Sequence, residues 1–224
     1  MPGFFVTGTD TGVGKSLIAA ALCHRYQQMG QKVAAMKPVA SGCTQTHDGL
    51  RNDDALLLQQ YCDASFSCAD INPIALKEPV APHLAAQQMN ITIQVESLLQ
   101  HYQNLENNSD IVIVEGVGGW SVPLNDQQDM ALLATGINLP VILVVGMRLG
   151  CINHALLTAQ AIRTAGLPLA GWVANQIDAN MLLYKENINA LRERIKAPQL
   201  ASITYQEHIE IEQLATQLQL SPYL

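Results

Sequence analysis

The loop Gly8-Thr9-Asp10-Thr11-Gly12-Val13-Gly14-Lys15-Ser16 sets the tightest limit on how this chain can fold, because it lies between an apolar run at residues 4–7 and a helical pattern at residues 16–29. A strand that turns through glycines directly into a helix leaves backbone N–H groups free at the helix start, where the helix dipole adds partial positive charge. The glycines let those N–H groups converge on phosphate oxygens. Lys15 and the Ser16 hydroxyl then stand where a phosphate-binding loop places its ammonium and its Mg²⁺-ligating hydroxyl. One departure is visible: Thr9 occupies the position five before Gly14 where the usual pattern has Gly, and Gly8 lies one residue further out. The loop is therefore expected to be slightly longer than standard.

Strand-like and helix-like segments alternate along the rest of the chain. In the first helix, Leu17, Ala20, Ala21, Leu22 and Met29 fall mostly on one side at helical spacing. A second strand is predicted at residues 32–36, closed by Pro38, and a helix at residues 53–61. A short strand is expected at residues 71–76, then a helix at 93–105 with Val95, Leu98, Leu99 and Tyr102 near one face. Apolar runs at residues 111–114 and 141–145 read as strands buried on both sides, with a short helix at 130–134 between them. The helix at residues 152–165 ends at Gly166, which suits a left-handed cap. Strands at 169–174 and 200–203 and helices at 182–195 and 207–218 complete the pattern. Strands separated by helices need crossover connections, so the expected fold is α/β, a mainly parallel sheet with helices on both faces and a P-loop NTPase-like first unit. No internal repeat or linker divides residues 1–224, which read as one domain. The polar, turn-rich stretch at residues 41–52 is expected to be a functional loop.

Composition narrows the function classes. Apolar residues make up 49% of the chain and charged residues 14%, which supplies a large core and excludes a disordered chain. Twelve basic and nineteen acidic residues give a net charge of −7, the wrong sign for a nucleic-acid partner, and the eleven aromatic residues form no stacking stripe. The longest strong apolar run, residues 140–147, is strand-sized, far short of the roughly 20 residues of a membrane helix. Met1-Pro2-Gly3 leads straight into a strand without a signal-like segment, so a cytoplasmic protein is expected. Five cysteines (Cys23, Cys43, Cys62, Cys68 and Cys151) at irregular spacing argue against a disulfide framework and a zinc site. Cys62 and Cys68 are the closest pair, but buried or incidental thiols are the better reading.

Further candidate residues cluster at predicted strand ends. Lys37, one of six lysines, follows the second strand, on the edge where open parallel sheets bind ligands. Glu115 ends the run at residues 111–114, and Asp54 lies at a helix start. Such carboxylates suit a Mg²⁺ that bridges nucleotide phosphates, although Asp54 and its neighbour Asp53 are also natural helix caps. Gly116-Val117-Gly118-Gly119 gives a second close backbone approach to a ligand. Asn175-Gln176-Ile177-Asp178 loosely resembles the Asn-Lys-x-Asp base reader of GTPases, with Gln in place of Lys. Gly150-Cys151-Ile152-Asn153-His154 opens a helix after a strand and offers a second anion site through its free N–H groups. His154 itself reads as a packing or capping residue.

Taken together, these segments resemble the dethiobiotin synthase family of biotin biosynthesis. The resemblance rests on the phosphate loop, on Lys37-Pro38-Val39-Ala40-Ser41-Gly42, on Gly49-Leu50-Arg51-Asn52-Asp53-Asp54, on Glu115-Gly116-Val117-Gly118-Gly119-Trp120 and on the run from Pro140 through Asn175. It covers about the first four-fifths of the chain. It implies ring closure of 7,8-diaminononanoate with CO₂ and ATP to give dethiobiotin, ADP and phosphate, through a carbamate and a carbamic–phosphoric anhydride. It further implies that Lys15 and Mg²⁺ serve the phosphates and that Lys37 sits over the carbamate and the transferred phosphoryl group. Thr11, Ser41 and the Gly118 N–H orient the diamine; Ser16, Asp54 and Glu115 hold the metal. The nucleotide lies against Gly12, Val13, Gly14, Lys15, Ser16 and Leu17, then Glu115, Gly116, Val117 and Gly118, with its base near Asn175, Gln176, Thr204, Tyr205 and Gln206. The resemblance also implies a homodimer, in which Gly150, Cys151, Ile152 and Asn153 of one subunit receive the carboxylate tail of substrate bound to the other.

The sequence departs from the family at several points. Gly12 stands where some members have Glu, Arg148 where the family often has Lys, and Thr204-Tyr205-Gln206 where it usually has a Pro turn. Glu210 is a candidate ribose contact. Two other readings remain: a GTPase-like phosphotransferase using Asn175 and Asp178, and a partition-type ATPase. The latter carries a signature lysine five residues before the main one, where this chain has Asp10.

Overall fold

The structure is a computed structural model that describes residues 3–220; Met1 and Pro2, expected to run straight into the first strand, lie outside the described residues, as do residues 221–224. The chain opens with β1 (Gly3–Gly8), α1 (Lys15–Gln28) and β2 (Val33–Met36). An irregular region follows, with β3 (Val39–Ala40), β4 (Thr44–Thr46), β5 (Gly49–Arg51), α2 (Asp53–Tyr61), α3 (Cys68–Ile71), β6 (Ile74–Ala75) and α4 (Pro82–Gln88). The regular alternation then resumes with α5 (Val95–Asn107), β7 (Ile111–Glu115), α6 (Met130–Ile137) and β8 (Val141–Met147). It closes with α7 (Cys151–Thr164), β9 (Leu169–Gln176), α8 (Tyr184–Arg194), β10 (Gln199–Ile203) and α9 (Ile211–Gln217).

Six strands form one sheet in the order β10-β9-β8-β1-β7-β2, and every pair is parallel. Residues of β1, β2, β7 and β8 are buried at every position. Successive side chains of a strand point to opposite faces, so burial throughout means that helices cover both faces. The expected mainly parallel α/β architecture is what the chain adopts. From β1 the chain moves towards β2, returns to β7 between them, then passes to β8 on the far side of β1. Adjacent loops therefore diverge at the β1/β8 boundary, the kind of switch point that opens a crevice at the carboxyl edge of an open sheet.

Several boundaries differ from the sequence expectation, each for a local reason. Residues 41–52 are not a plain loop: β4 and β5 pair antiparallel around His47 and Asp48. The exposed polar strand β4 carries no apolar alternation to reveal it. The strand expected at 71–76 shrinks to Ile74–Ala75, because Ser67 and Asp70 form a capping box that turns Cys68–Ile71 into helix. The helix expected at 207–218 begins only at Ile211. On α1, Met29 lies outside the helix as its C-cap and is exposed, whereas Ile18, Ala19, Cys23 and Tyr26 join the buried side. Gly166 takes a left-handed conformation just after α7, as its position predicts.

Candidate active site

The parallel register places the carboxyl ends of the strands side by side. Val6 pairs with Glu115, Met36 with Val114, and Gly8 with Val144. Lys37, the phosphate loop, Glu115 and Arg148 therefore emerge at one edge. Asp54 reaches the same edge from the first turn of α2, whose N-cap is Asn52. The Asn52 Oδ1 accepts hydrogen bonds from the N–H of Asp54 at 3.1 Å and of Ala55 at 3.4 Å. That geometry gives the capping role to Asn52, and the Asp54 side chain faces the sheet, where it meets Lys37.

At the centre lies a buried charge cluster. Lys37 Nζ donates to Glu115 Oε1 at 2.5 Å and to Asp54 Oδ2 at 2.9 Å. Ser16 Oγ donates to Glu115 Oε1 at 2.9 Å. Lys37 and Glu115 are both buried, and an isolated buried charge would be very costly. Burial pulls the Lys37 pKa down, but Glu115 and Asp54 outweigh it and hold the ammonium above its usual value. Burial pushes the Glu115 carboxyl up, against the pull of Lys37. For Asp54, burial is outweighed by Lys37 and the carboxyl sits below its usual value. Glu115 Oε2 is buried and has no hydrogen-bond partner. Ser16, Asp54 and Glu115 offer oxygen donors only, the set that Mg²⁺ prefers, and two carboxylates match its habit of leaving further positions to phosphates and water. The residues therefore fit a Mg²⁺ site, and a cation there would satisfy the orphaned oxygen.

The phosphate loop is closed on itself. Lys15 Nζ donates to the Asp10 carbonyl at 2.9 Å. Burial, then the neighbouring Lys37, lowers the Lys15 pKa to about 8. Gly14 caps α1 in a left-handed conformation without any side-chain cap, so the first N–H groups of the helix remain available to an anion. A Cβ at Gly14 would collide with the Asn175 side chain. Asn175 is buried, and its Nδ2 donates to the Val13 carbonyl at 2.8 Å. The residue expected to meet a base thus also braces the loop.

A cavity of about 830 Å³ opens over this cluster. It is lined by Thr11, Gly12, Gly14, Lys15, Ser16, Leu17, Lys37, Ser41, Asp54, Glu115, Val117 and Gly118 among the expected residues. Val13 and Gly116 are buried and do not line it. Ser41 Oγ is buried without a hydrogen-bond partner, and the backbone of Gly118 lies beside Thr11. The sequence reading missed a further part of the lining, formed by Leu57, Pro79, Val80, Ala81, Pro82 and Val122. The only signal for it was the paired prolines, which fix an extended approach into α4. Asn175, Gln176, Thr204, Tyr205 and Gln206 do not line this cavity. The Tyr205 N–H donates to Gln176 Oε1 at 3.2 Å, so the ends of β9 and β10 are joined. Gly150, Cys151, Ile152 and Asn153 do not line the cavity of their own chain either. Gly150 caps α7 in a left-handed conformation without a side-chain cap. His154 is exposed and neither packs nor caps, contrary to expectation, because it falls on the solvent side of the first turn.

A family model described as "AAA domain" matches residues 2–213. An ATP-dependent dethiobiotin synthetase BioD of Nitrosospira multiformis is 48% identical over 98% of this chain and 95% of its own length. One from Pseudomonas aeruginosa strain UCBPP-PA14 is 46% identical over 99% of this chain and 98% of its own. The likeness thus runs to nearly the whole chain rather than the first four-fifths. Among solved structures, the septum site-determining protein MinD of Pyrococcus horikoshii aligns with a TM-score of 0.56 at 15% identity, over 92% of this chain and 82% of its own. The receptor FtsY of Elizabethkingia anophelis aligns with a TM-score of 0.50 at 13% identity, over 96% of this chain and 64% of its own. At such identities the likeness concerns the P-loop NTPase fold alone. A phosphate loop beside a buried lysine–carboxylate cluster, on a chain nearly half identical over its length to enzymes of one name, has one consistent explanation: the chain belongs to the family of ATP-dependent dethiobiotin synthetases.

Proposed function

We propose that the chain, acting as one ligase domain over residues 1–224, closes the cyclic urea of dethiobiotin from 7,8-diaminononanoate, CO₂ and ATP, with Mg²⁺, and does so in the cytoplasm as a homodimer. The observation that carries the reading is the cluster of Lys37, Asp54, Glu115 and Ser16 beside Lys15 in a single cavity. An amine that has captured CO₂ becomes a carbamate, an anion that must attack the γ-phosphate of a polyanion. Charge neutralisation where charge develops is the main service a protein can offer such a step. Ser16, Asp54 and Glu115 would hold Mg²⁺, which when bound would supply positive charge to the phosphates. Lys15 leaves the Asp10 carbonyl to reach the phosphates, beside the N–H groups of Gly12, Val13, Gly14, Ser16 and Leu17. Lys37, released from the carboxylates, faces the carbamate and the transferred phosphoryl group, whose transfer gives the mixed anhydride. The second amine then closes the ring and expels phosphate. Thr11, Ser41 and the Gly118 N–H orient the diamine, and the orphaned Ser41 hydroxyl is suited to that task. Gly116 and Val117 carry the backbone along the phosphates. Asn175 and Gln176 meet the base, with Thr204, Tyr205 and Gln206 closing over it.

The homodimer reading is supported by exposed leucines around α7 and α8. Leu149 is 96% exposed and directly precedes α7, Leu157 lies on α7, and Leu182 and Leu183 precede α8, which packs on α7. Covering that apolar surface with a second copy brings the uncapped start of α7, Gly150 to Asn153, to the neighbouring cavity as a receptor for the substrate carboxylate.

The test is to incubate the purified protein with Mg-ATP, bicarbonate and 7,8-diaminononanoate and to look for dethiobiotin by mass. Product formed together with ADP, and lost when any component is omitted, is the expected result. Absence of product from protein that binds Mg-ATP would overturn the reaction, and a strong preference for GTP would overturn the nucleotide.

A further inference from the structure

The lining of the cavity is electrostatically unusual for a site that takes anions. It carries two lysines, Lys15 and Lys37, against four carboxylates, Asp10, Asp53, Asp54 and Glu115. Lys37 is already engaged by Asp54 and Glu115, and Mg²⁺ would offset those two further. Asp10 and Asp53 remain, and of the two it is Asp10 that lies on the phosphate loop itself and within electrostatic reach of Lys15. Its counter-ion comes from outside the lining: Arg148 Nη2 pairs with Asp10 Oδ2 at 2.5 Å.

That pair belongs to a line of contacts along the end of β8. The Thr9 N–H donates to the Val144 carbonyl at 3.0 Å, and the Gly146 N–H donates to Thr9 Oγ1 at 3.2 Å. Asp10 then uses its two carboxylate oxygens separately. Oδ2 takes Arg148, while Oδ1 accepts the Thr11 N–H at 2.8 Å. The Asp10 carbonyl meanwhile holds Lys15. One residue thus links the strand end before α7 to the loop residue proposed to orient the diamine and to the lysine proposed to serve the phosphates.

We propose that Asp10 and Arg148 form a positioning clasp, in which Arg148 neutralises Asp10 at the mouth of an anion site and fixes the loop through it, without itself touching nucleotide or substrate. The clasp rests on the ligase reading for its role towards the diamine, but its effect on Mg-ATP needs only the phosphate loop. The Arg148 charge is thereby committed to Asp10 rather than free for an anionic ligand. An exposed ion pair contributes little to global stability, so its consequence is local: removing the arginine leaves a bare carboxylate beside the phosphates.

The experiment compares Arg148→Met, Arg148→Lys and the double variant Asp10→Asn with Arg148→Met, reading the Mg-ATP dissociation constant by calorimetry at low and high salt. Arg148→Met is expected to weaken Mg-ATP about five- to tenfold at low salt and less at high salt, as screening predicts. Arg148→Lys should remain within about twofold of the unmodified protein, because the ammonium still reaches Asp10. The double variant should recover to within about twofold, since Asp10→Asn keeps an acceptor for the Thr11 N–H and removes the charge. In turnover, Arg148→Met should raise KM more than it lowers kcat. A double variant that binds as weakly as Arg148→Met would overturn the clasp, because Arg148 would then act on the ligand directly. So would an Arg148→Met protein that binds as the unmodified one does. Protein that binds Mg-ATP with these shifts yet forms no dethiobiotin would sink the reaction proposed above and leave the clasp standing.

Discussion

In the proposed reaction Lys37 does two jobs with one charge. In this structure Lys37 neutralises the buried Glu115 and the half-exposed Asp54; with a cation held by those carboxylates, the Lys37 ammonium would be free for the proposed reaction. Lys37→Gln should therefore lower turnover by a factor of about a hundred or more while changing Mg-ATP affinity far less, a loss confined to the reacting groups. The same substitution strands a buried carboxylate and should cost about 3 kcal/mol of stability, part of which Mg²⁺ restores. Thermal melts of the variant in chelator and in Mg²⁺ check this; coincident melts would mean that no cation replaces the lysine. The thiols offer a second residue-scale check. Burial pushes the Cys62 thiol up to about 11 and also raises Cys23, Cys43 and Cys151. The reactive form is the thiolate, and for a group with a raised pKa its fraction is small at neutral pH and grows about tenfold per pH unit up to the pKa. Native protein treated with an alkylating reagent at neutral pH should be labelled at the half-buried Cys68 first, with the other four reacting only after denaturation. Early labelling of Cys62, read by peptide mass, would contradict the packing described for it.

At the scale of elements, the phosphate loop and α2 are positioned by single contacts whose loss should be visible. Gly14→Ala places a Cβ on a left-handed backbone and against Asn175. It should weaken Mg-ATP at least about tenfold, a cost of roughly 1.4 kcal/mol, by breaking the brace between β9 and the loop. Asn52→Ala removes the cap of α2 and should cost about 1 kcal/mol, and turnover should fall as well, because the same cap aims Asp54 at Lys37. Unchanged turnover in a destabilised Asn52→Ala protein would separate the helix cap from the metal site. These elements also show where sequence reading succeeds. β1, α1, β7 and β8 were evident because uninterrupted apolar runs and a glycine-marked helix start are local signals. The β4–β5 hairpin and α4 were not, since the first is polar and exposed and the second is a short helix set by prolines rather than by an apolar stripe. Asn175 could be singled out from the sequence only as part of a loose base-reader pattern; that its amide would reach back 162 positions to the Val13 carbonyl depends on β9 lying next to β8.

For the whole molecule, the exposed leucines around α7 and α8 make association the natural expectation. Leu149→Glu combined with Leu182→Glu should give monomers by light scattering. Both side chains are exposed, so folding and Mg-ATP affinity should persist. Turnover should drop at least about tenfold, the loss of a charged hydrogen-bonded contact worth ~1.5–3 kcal/mol. Full activity in a persistent monomer would contradict a site shared between copies. Among the described residues no helix is long and apolar enough to cross a membrane. The alternation that produces a parallel sheet, the phosphate loop at the first strand end, and the identities of Lys37, Asp54 and Glu115 are all legible in the order of residues, because strand and helix periodicity, glycine turns and residue chemistry are written locally. That Lys37 lies between Asp54 and Glu115, that prolines 79 and 82 wall the cavity, and that Arg148 belongs to Asp10 became clear only from the folded chain. Those facts depend on which strands become neighbours, and strand order is fixed by packing between segments far apart in the chain.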